Sequence, residues 1–336
     1  MAKVSIIIPV YNVEKFIGKC TQSLLAQTLD DMEVFFVDDH CPDNSMEVAR
    51  QCVADSPRKD QFHFIQTPHN MGAGMARNYA LPQTTGEYIA FVDSDDWVEP
   101  TMFEELYERA RKNDSDLCYC QAIKDFDDGK SSEILKNPDM AEGEITHDKR
   151  AFFLTHYVSL FWTFIYKRSL IMDNDIRYPE ERCADDSFFV SCCLFTAQSS
   201  AHVDKPFYHY LIRANSIVTT KNPTKYKKRI TVFNKLMDFA KNKGVYEEFK
   251  PEIDFLYIKK GYLVSAFNYV MNVDKPCKEE LKRIQQEVEQ LIPGYRQNCY
   301  FCQNKAARFS DFMVGTMPSL ALLLVPVYVK HTGALV

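Results

Sequence analysis

Residues 4–122 repeat one pattern: a short run of β-branched and aromatic residues, then a stretch with apolar residues at helical spacing. The strands read as VSIIIPV (4–10), EVFFVDD (33–39), FHFIQT (62–67), EYIAFVD (87–93) and DLCYCQA (116–122). Between them, helices read over 14–27, from Ser45 to Val53, from Gly72 to Ala80, and from Pro100 to about Lys112. In the first helix Phe16, Cys20, Leu24 and Gln27 recur at helical spacing, and Ile17 and Leu25 widen the stripe. Pro100 suits a first helical position, where its missing N–H costs nothing. Strands alternating with helices specify βαβ units, hence an α/β fold with a mostly parallel central sheet covered on both faces. The opening MAKVSIIIPVYN is then a buried first strand. A lone Lys before a short apolar run, with no small-residue cleavage site, does not make a secretory signal.

Ligands of such sheets bind outside the carboxyl ends of the strands. The polar residues collect there: Tyr11 and Asn12 after the first strand, Asp38 and Asp39 after the second, Asn70 and Gly72 after the third, Asp93 and Asp95 after the fourth. A single aspartate in such a place is as readily a turn or cap residue; four consecutive strands ending this way define a cleft. The segment FVDSDDW (91–97) adds Asp96, and buried charge on this scale needs a partner or a metal. Asp93 and Asp95 form a D-x-D pair able to place carboxylate oxygens around one hard divalent cation, Mg²⁺ or Mn²⁺, with water and substrate phosphates completing the shell. Such an ion makes a bridged diphosphate a better leaving group.

Other nucleotide folds lose their claim. The dinucleotide fingerprint needs G-x-G-x-x-G after the first strand, where the chain has PVYNVEKF. GAGMAR (72–77) imitates part of it, but after the third strand. No P-loop pattern is present. The net charge of -6 over 336 residues argues against a general nucleic-acid binder. The eleven cysteines follow no regular framework and read as reduced thiols of a cytosolic protein.

Six motifs, VSIIIPVYN (4–12), SLLAQT (23–28), VDDHCPDNS (37–45), NMGAGMARN (70–78), FVDSDDW (91–97) and ADDSFF (184–189), occur in an order and spacing that resemble the family-2 glycosyltransferases with the GT-A fold, especially bacterial enzymes building surface polysaccharides. The resemblance covers about residues 4 to 215. It departs from the family near residue 40, where His40, Cys41 and Pro42 interrupt the usual D-D-G-S-x-D, and at Asp185-Asp186, where the family often has Glu-Asp. It implies a donor pocket in which Tyr11 stacks on a base, uracil foremost, and Asp39 accepts from its imide N–H. Asn12 and Asn70 join that pocket. Asp93 would reach the ribose or the metal, and Asp95 would be the direct metal ligand. Arg77 is a candidate phosphate clamp, since a guanidinium matches phosphate oxygens. Asp96 reads as a cap or supporting acceptor rather than a second ligand.

The middle of the chain is expected to serve the acceptor. SLFWTFIYKRSLI (159–171) brings Trp162 near the cleft. Inverting transfer needs one base to take a proton from the acceptor hydroxyl, and Asp186 is the catalytic candidate. Asp185 is expected to cap the helix that continues through SFFVSCCLF (187–195), leaving Asp186 to face the cleft. FYHYLIRANSI (207–217) reads as a strand and loop that carries His209 and Arg213 toward the diphosphate or acceptor.

After about residue 220 the pattern becomes helical, over 226–243, 252–271 and 277–291. The expected organisation is a catalytic domain at 1–220 and a helical region at 221–336. The stretch 312–329 holds 18 residues without charge and contains Gly315, Pro318 and Pro326. That is the lower limit for a membrane-spanning helix. A segment lying on the inner membrane surface, or one packed on the catalytic domain or in a homodimer, suits it better; Lys305, Arg308 and Lys330 would meet anionic lipid. Taken with the resemblance, the expected function is metal-dependent inverting transfer of a sugar from a nucleotide donor, UDP foremost, to a saccharide or lipid-linked saccharide. The alternatives are a nucleotidyltransferase acting on sugar phosphates and a non-catalytic saccharide-binding domain.

Overall fold

The computed structural model describes residues 2–126, 132–140, 142–212 and 222–332. The chain divides into two compact units, Met1–Ser216 and Ile217–Val336.

The first unit is built on one sheet. Its strands are β1 Val4–Val10, β2 Met32–Asp38, β3 Phe62–Gln66, β4 Tyr88–Phe91, β5 Trp97–Val98, β6 Leu117–Phe126, β7 Glu133–Leu135, β8 Gly143–Glu144, β9 Phe164–Lys167 and β10 Ser199–Ile212. The helices are α1 Ile17–Leu25, α2 Ser45–Ala54, α3 Ala73–Ala80, α4 Met102–Lys112, α5 His147–His156, α6 Arg168–Asp173 and α7 Asp185–Thr196. The sheet runs β3-β2-β1-β4-β9-β6-β10-β5, with β7 on β6 and β8 on β10. β1 pairs parallel with both β2 and β4, β2 with β3, and β6 with β10. β9 runs antiparallel to both β4 and β6. Two reversals restore direction, so β3, β2, β1, β4, β6 and β10 all point the same way. Every residue of β1 is buried, as expected of a strand covered on both faces.

Three details were not expected. β9 inserts out of chain order between β4 and β6. β5 is a two-residue strand antiparallel to β10, where no strand was read. β10 begins at Ser199, well before residue 207, and its register on β6 shifts around Pro206. Proline is tolerated at such a bulge because no ladder N–H is required there.

The second unit is helical: α8 Lys225–Asn242, α9 Lys250–Leu256, α10 Val264–Asn272, α11 Lys278–Leu291, α12 Cys299–Gln303, α13 Lys305–Asp311 and α14 Pro318–Thr332. A π turn, Tyr257–Leu263, joins α9 to α10. Asp311 is buried and accepts from Tyr262 Oη at 3.1 Å, from Arg296 Nε at 2.7 Å, and from the Tyr295 hydroxyl. Among the described residues no helix is long and apolar enough to cross a membrane. All eleven cysteines are free thiols. Cys299 and Cys302, spaced as C-x-x-C, are both exposed.

Candidate active site

The parallel register aligns the strand ends. Val10 of β1 lies beside Asp38 of β2, and Ile7 lies beside Phe91 of β4. Tyr11, Asp39 and Asp93 therefore emerge at one edge of the sheet. Tyr11 is 49% exposed. Asn12 follows with φ of 55°, a left-handed conformation that asparagine tolerates.

Asp39 is buried, and its carboxylate already has donors. Met71 N–H and Gly72 N–H reach Oδ1 and Oδ2, both at 2.7 Å, and Thr67 Oγ1 adds a bond of 3.1 Å. Asn70 Nδ2 donates to the Asp39 carbonyl at 3.0 Å. Asp39 thus holds the loop after β3, its buried carboxylate turned to Met71, Gly72 and Thr67 rather than left open to a base. The departure at residue 40 also resolves. His40 takes the left-handed conformation itself, with φ of 60°, and its Nε2 donates to Thr67 O at 2.7 Å. Cys41 N–H donates to Asp38 Oδ1 at 2.8 Å, and burial together with Asp38 pushes the Cys41 thiol up to about 12.

Arg77 corrects its expectation as a phosphate clamp. It is only 3% exposed, and its Nη2 donates to Asp93 Oδ1 at 2.5 Å. Its guanidinium carbon lies 4.5 Å from the Phe161 ring centre and 5.1 Å from that of Tyr178. The cause is helical phase: Gly74, Arg77 and Ala80 lie three apart on the buried face of α3. Arg77 fixes Asp93 from beneath.

Asp96 is the supporting acceptor expected. Its carboxylate takes Tyr208 O–H at 2.7 Å and Leu211 N–H at 2.8 Å, and Tyr208 Oη accepts from Asp93 N–H at 3.0 Å. Burial, then the charges of Asp93 and Asp95, hold the Asp96 carboxyl well above the usual range. Trp162 is buried against this frame, its ring 4.1 Å from Tyr208 and 5.4 Å from Tyr210. It backs the D-x-D turn and offers no face to an acceptor. His209 is likewise engaged. Its ring nitrogens lie 2.7 Å from Asp125 Oδ2 and 2.8 Å from Glu99 Oε1, and the ring stacks on Trp97 at 4.9 Å. It ties β10 to β6 and to the residues after β5. Arg213 lies outside the described residues.

Asp185 does not cap α7. The cap position is Ala184, with φ of 56° and no side-chain cap bond. Asp185 is the first helical residue, and its side chain turns onto α3, where Gly74 leaves it room; a Cβ at Gly74 would stand 3.0 Å from Asp185 Oδ2. Asp186 follows in the first turn of α7. Its charge bears on Arg77, Tyr166, Tyr178 and Tyr210. Tyr210 also feels Asp93, Asp95 and Asp96. The D-x-D pair and the candidate base therefore share one electrostatic neighbourhood.

Sequence reading missed Arg182. Its Nη1 donates to Asn70 Oδ1 at 3.0 Å and its Nη2 to Asn70 O at 2.7 Å. The signal was Gly72, whose φ of 86° and missing Cβ admit the Arg182 stem. Asn78 was missed too: its amide donates to Tyr178 O at 2.8 Å and accepts from Tyr178 N–H at 2.9 Å.

The donor set fits a hard divalent ion. Five carboxylates (Asp93, Asp95, Asp96, Asp185 and Asp186) share this neighbourhood with the buried guanidinium of Arg77. Burial raises the Asp93 pKa, Arg77 opposes, and Asp95 adds to the rise. Carboxylate oxygens are the ligands such an ion takes. Among the described residues no group of three or more His, Cys, Asp and Glu forms a metal cage; Asp93 and Asp95 would supply part of a shell that phosphate and water complete.

A largely parallel sheet with an exposed tyrosine and a D-x-D pair at its strand ends, and a further carboxylate in the first turn of α7, suits a transferase acting on nucleotide sugars. Residues 5–174 match the model described as glycosyl transferase family 2. EpsH of Bacillus subtilis (strain 168) is 30% identical over 285 residues, covering 84% of this chain and 81% of that protein. The chain belongs to glycosyl transferase family 2. This membership displaces the nucleotidyltransferase reading. The fold is also that of S. aureus TarS 1-349, solved in complex with UDP-GlcNAc, at 21% identity and a TM-score of 0.60 over 93% of this chain and 89% of that one. The mannosyltransferase PcManGT of Pyrobaculum calidifontis, solved with GDP-Man and Mn²⁺, is similar at 15% identity and a TM-score of 0.53, over 98% of this chain and 87% of that one.

Proposed function

We propose that this glycosyltransferase moves a hexosyl or N-acetylhexosaminyl group from a UDP donor to a saccharide or lipid-linked saccharide of a bacterial surface polysaccharide, with inversion at the anomeric carbon. The carrying observation is the shared neighbourhood of Asp93, Asp95 and Asp186 around Arg77 and Tyr210. Tyr11 stacks on the base, and Asp39 shapes the pocket beside it by holding the loop of Asn70. Asp95 and Asp93 would hold Mn²⁺ or Mg²⁺, and the ion would supply charge neutralisation for the diphosphate leaving group. Asp186 takes the proton of the acceptor hydroxyl. The acceptor oxygen bonds to the anomeric carbon from the face opposite the diphosphate, and the bond from carbon to phosphate oxygen breaks with its electron pair leaving on UDP. The UDP-GlcNAc bound by TarS supports the uridine donor; the GDP-Man and Mn²⁺ bound by PcManGT support the metal.

The test is turnover with a panel of nucleotide sugars, followed by NMR of the product. An α-linked UDP donor should give a β-linked product. Asp186→Asn should lower kcat about 10²–10⁴-fold while nearly sparing UDP affinity. An α-linked product, or unchanged turnover of Asp186→Asn, would overturn the base assignment. A preference for GDP sugars would overturn the uridine donor alone.

For location, we propose a cytoplasmic protein that meets the inner membrane surface through α13, α14 and the turn between them. Phe309, Phe312, Leu323, Leu324 and Val327 are exposed there. Lys305 and Arg308 are exposed beside them, and the acid of that stretch, Asp311, is buried. Apolar side chains flanked by cations suit anionic lipid.

A further inference from the structure

Asp186 has to stand at a fixed height above the donor, and the helix that carries it, α7, starts directly after a segment with little regular structure. Residues 174–184 connect α6 to α7, and two of those just before α7, Arg182 and Ala184, adopt left-handed backbone with φ of 52° and 56°. Neither is glycine or asparagine, so surrounding contacts have to hold them there. A set of such contacts comes from one motif. The motif NMGAGMARN (70–78) meets this segment along its length.

Asn70 takes two hydrogen bonds from the Arg182 guanidinium. The stem of Arg182 lies on Gly72, where a Cβ would stand 2.7 Å from Nε and 2.8 Å from Cδ. Gly74 admits Asp185, and a Cβ there would also stand 3.0 Å from Tyr178 Cβ. Arg77 lies under the Tyr178 ring, which stacks on Phe189 of α7 at 4.3 Å. Asn78 pairs with the Tyr178 backbone through both ends of its amide. The same Asn70 is tied to Asp39, which holds Met71 and Gly72. One continuous chain of hydrogen bonds thus runs from the end of β2, through Asn70, to Arg182, four residues before the base.

We propose that Arg182 is a positioning residue that registers the Asp186 base against the donor loop, so that the donor side and the acceptor side of the site are set as one unit. This rests on Asp186 being the base. The guanidinium is occupied by Asn70 and acts through the backbone turn that leads into α7. The two glycines of the motif serve the close approach of this strap. Misplacing a reacting group by about 1 Å costs on the order of 10²-fold in rate, which is the scale expected when the turn relaxes.

The test compares Arg182→Ala, Arg182→Lys, Asp186→Asn and the double variant Arg182→Ala/Asp186→Asn, with thermal melts confirming that each is folded. Arg182→Ala should lower kcat by about 10–100-fold while donor KM and UDP affinity stay within about threefold, and Arg182→Lys should recover part of the loss. With the base already removed, Arg182→Ala should cost little more, because a residue acting through another is non-additive with it. Unchanged kcat in Arg182→Ala, a loss that is mainly of UDP affinity, or losses that add in the double variant would each overturn the proposal. Wild-type turnover of Asp186→Asn would instead overturn the base assignment, a separate result.

Discussion

Gly72→Ala tests how closely the strap approaches the donor loop. Gly72 has φ of 86° and ψ of 157°, a region essentially confined to glycine. Forcing alanine into it costs about 1–3 kcal/mol. The new methyl would also meet Arg182 Nε at 2.7 Å, Cδ at 2.8 Å and Cγ at 3.0 Å. Arg182 is exposed and can swing away, but it then gives up both bonds to Asn70, together worth about 1–2 kcal/mol at net values for single hydrogen bonds. The sum is about 2–5 kcal/mol. Gly244→Ala is the control: its φ is 72°, and nothing lies within 4 Å of a Cβ there. It should cost only the left-handed backbone penalty, about 1 kcal/mol. Urea melts read the stabilities, and turnover reads the site. Arg182→Ala removes the steric partner and the same two bonds, so Gly72→Ala/Arg182→Ala should cost no more than Gly72→Ala alone. A Gly72→Ala protein as stable as wild type, or strict additivity in the double variant, would show that the strap does not lie on Gly72, and the reasoning would fail.

Chelation should abolish transfer and added Mn²⁺ or Mg²⁺ should restore it, with Asp95→Ala inactive; full activity of Asp95→Ala in chelator would remove the metal from the site. In the helical unit, Arg283 donates to both oxygens of Glu280 and holds its carboxyl down at about 2. A depressed pKa gives stability that is complete above the ordinary glutamate range and lost as pH falls toward 2. Glu280→Gln should therefore lose about 1 kcal/mol at pH 7 after solvent screening, and the difference should vanish in acid; a pH-independent difference would refute the pairing. Sedimentation with vesicles should show binding to anionic but not zwitterionic lipid, weakened by Phe309→Ser with Phe312→Ser. Equal partition of wild type and variant would place the membrane contact elsewhere.

The strand ends were legible because they depend on local pattern. A buried parallel strand is a continuous apolar run, and its polar terminus marks the cleft; Tyr11, Asp39 and Asp93 followed from that alone. Assigning a task to each side chain needed helical phase or contacts distant in sequence. Arg77 was readable in principle: Gly74 and Ala80 stand three residues to either side, so it shares their buried face. Residue type had suggested phosphate, but phase decided for Asp93. Asp185 shows the opposite case. An acid at a helix start satisfies the rule for capping, yet the bend at Ala184 is made by backbone and the carboxylate turns to Gly74. Nothing within ten residues of Asp185 announces that, because the cause lies more than a hundred residues earlier. β9 was hidden for the same reason. Four residues, Phe164–Lys167, become a strand only because β4 and β6 leave a gap to be paired. The motif NMGAGMARN joins the two kinds of information. Its glycines look like phosphate-loop glycines when the sequence is read forward from β3. Read against residues 178–185, they are clearances cut for a segment a hundred residues away, and the loop after β3 is shaped by the strap that leads into α7.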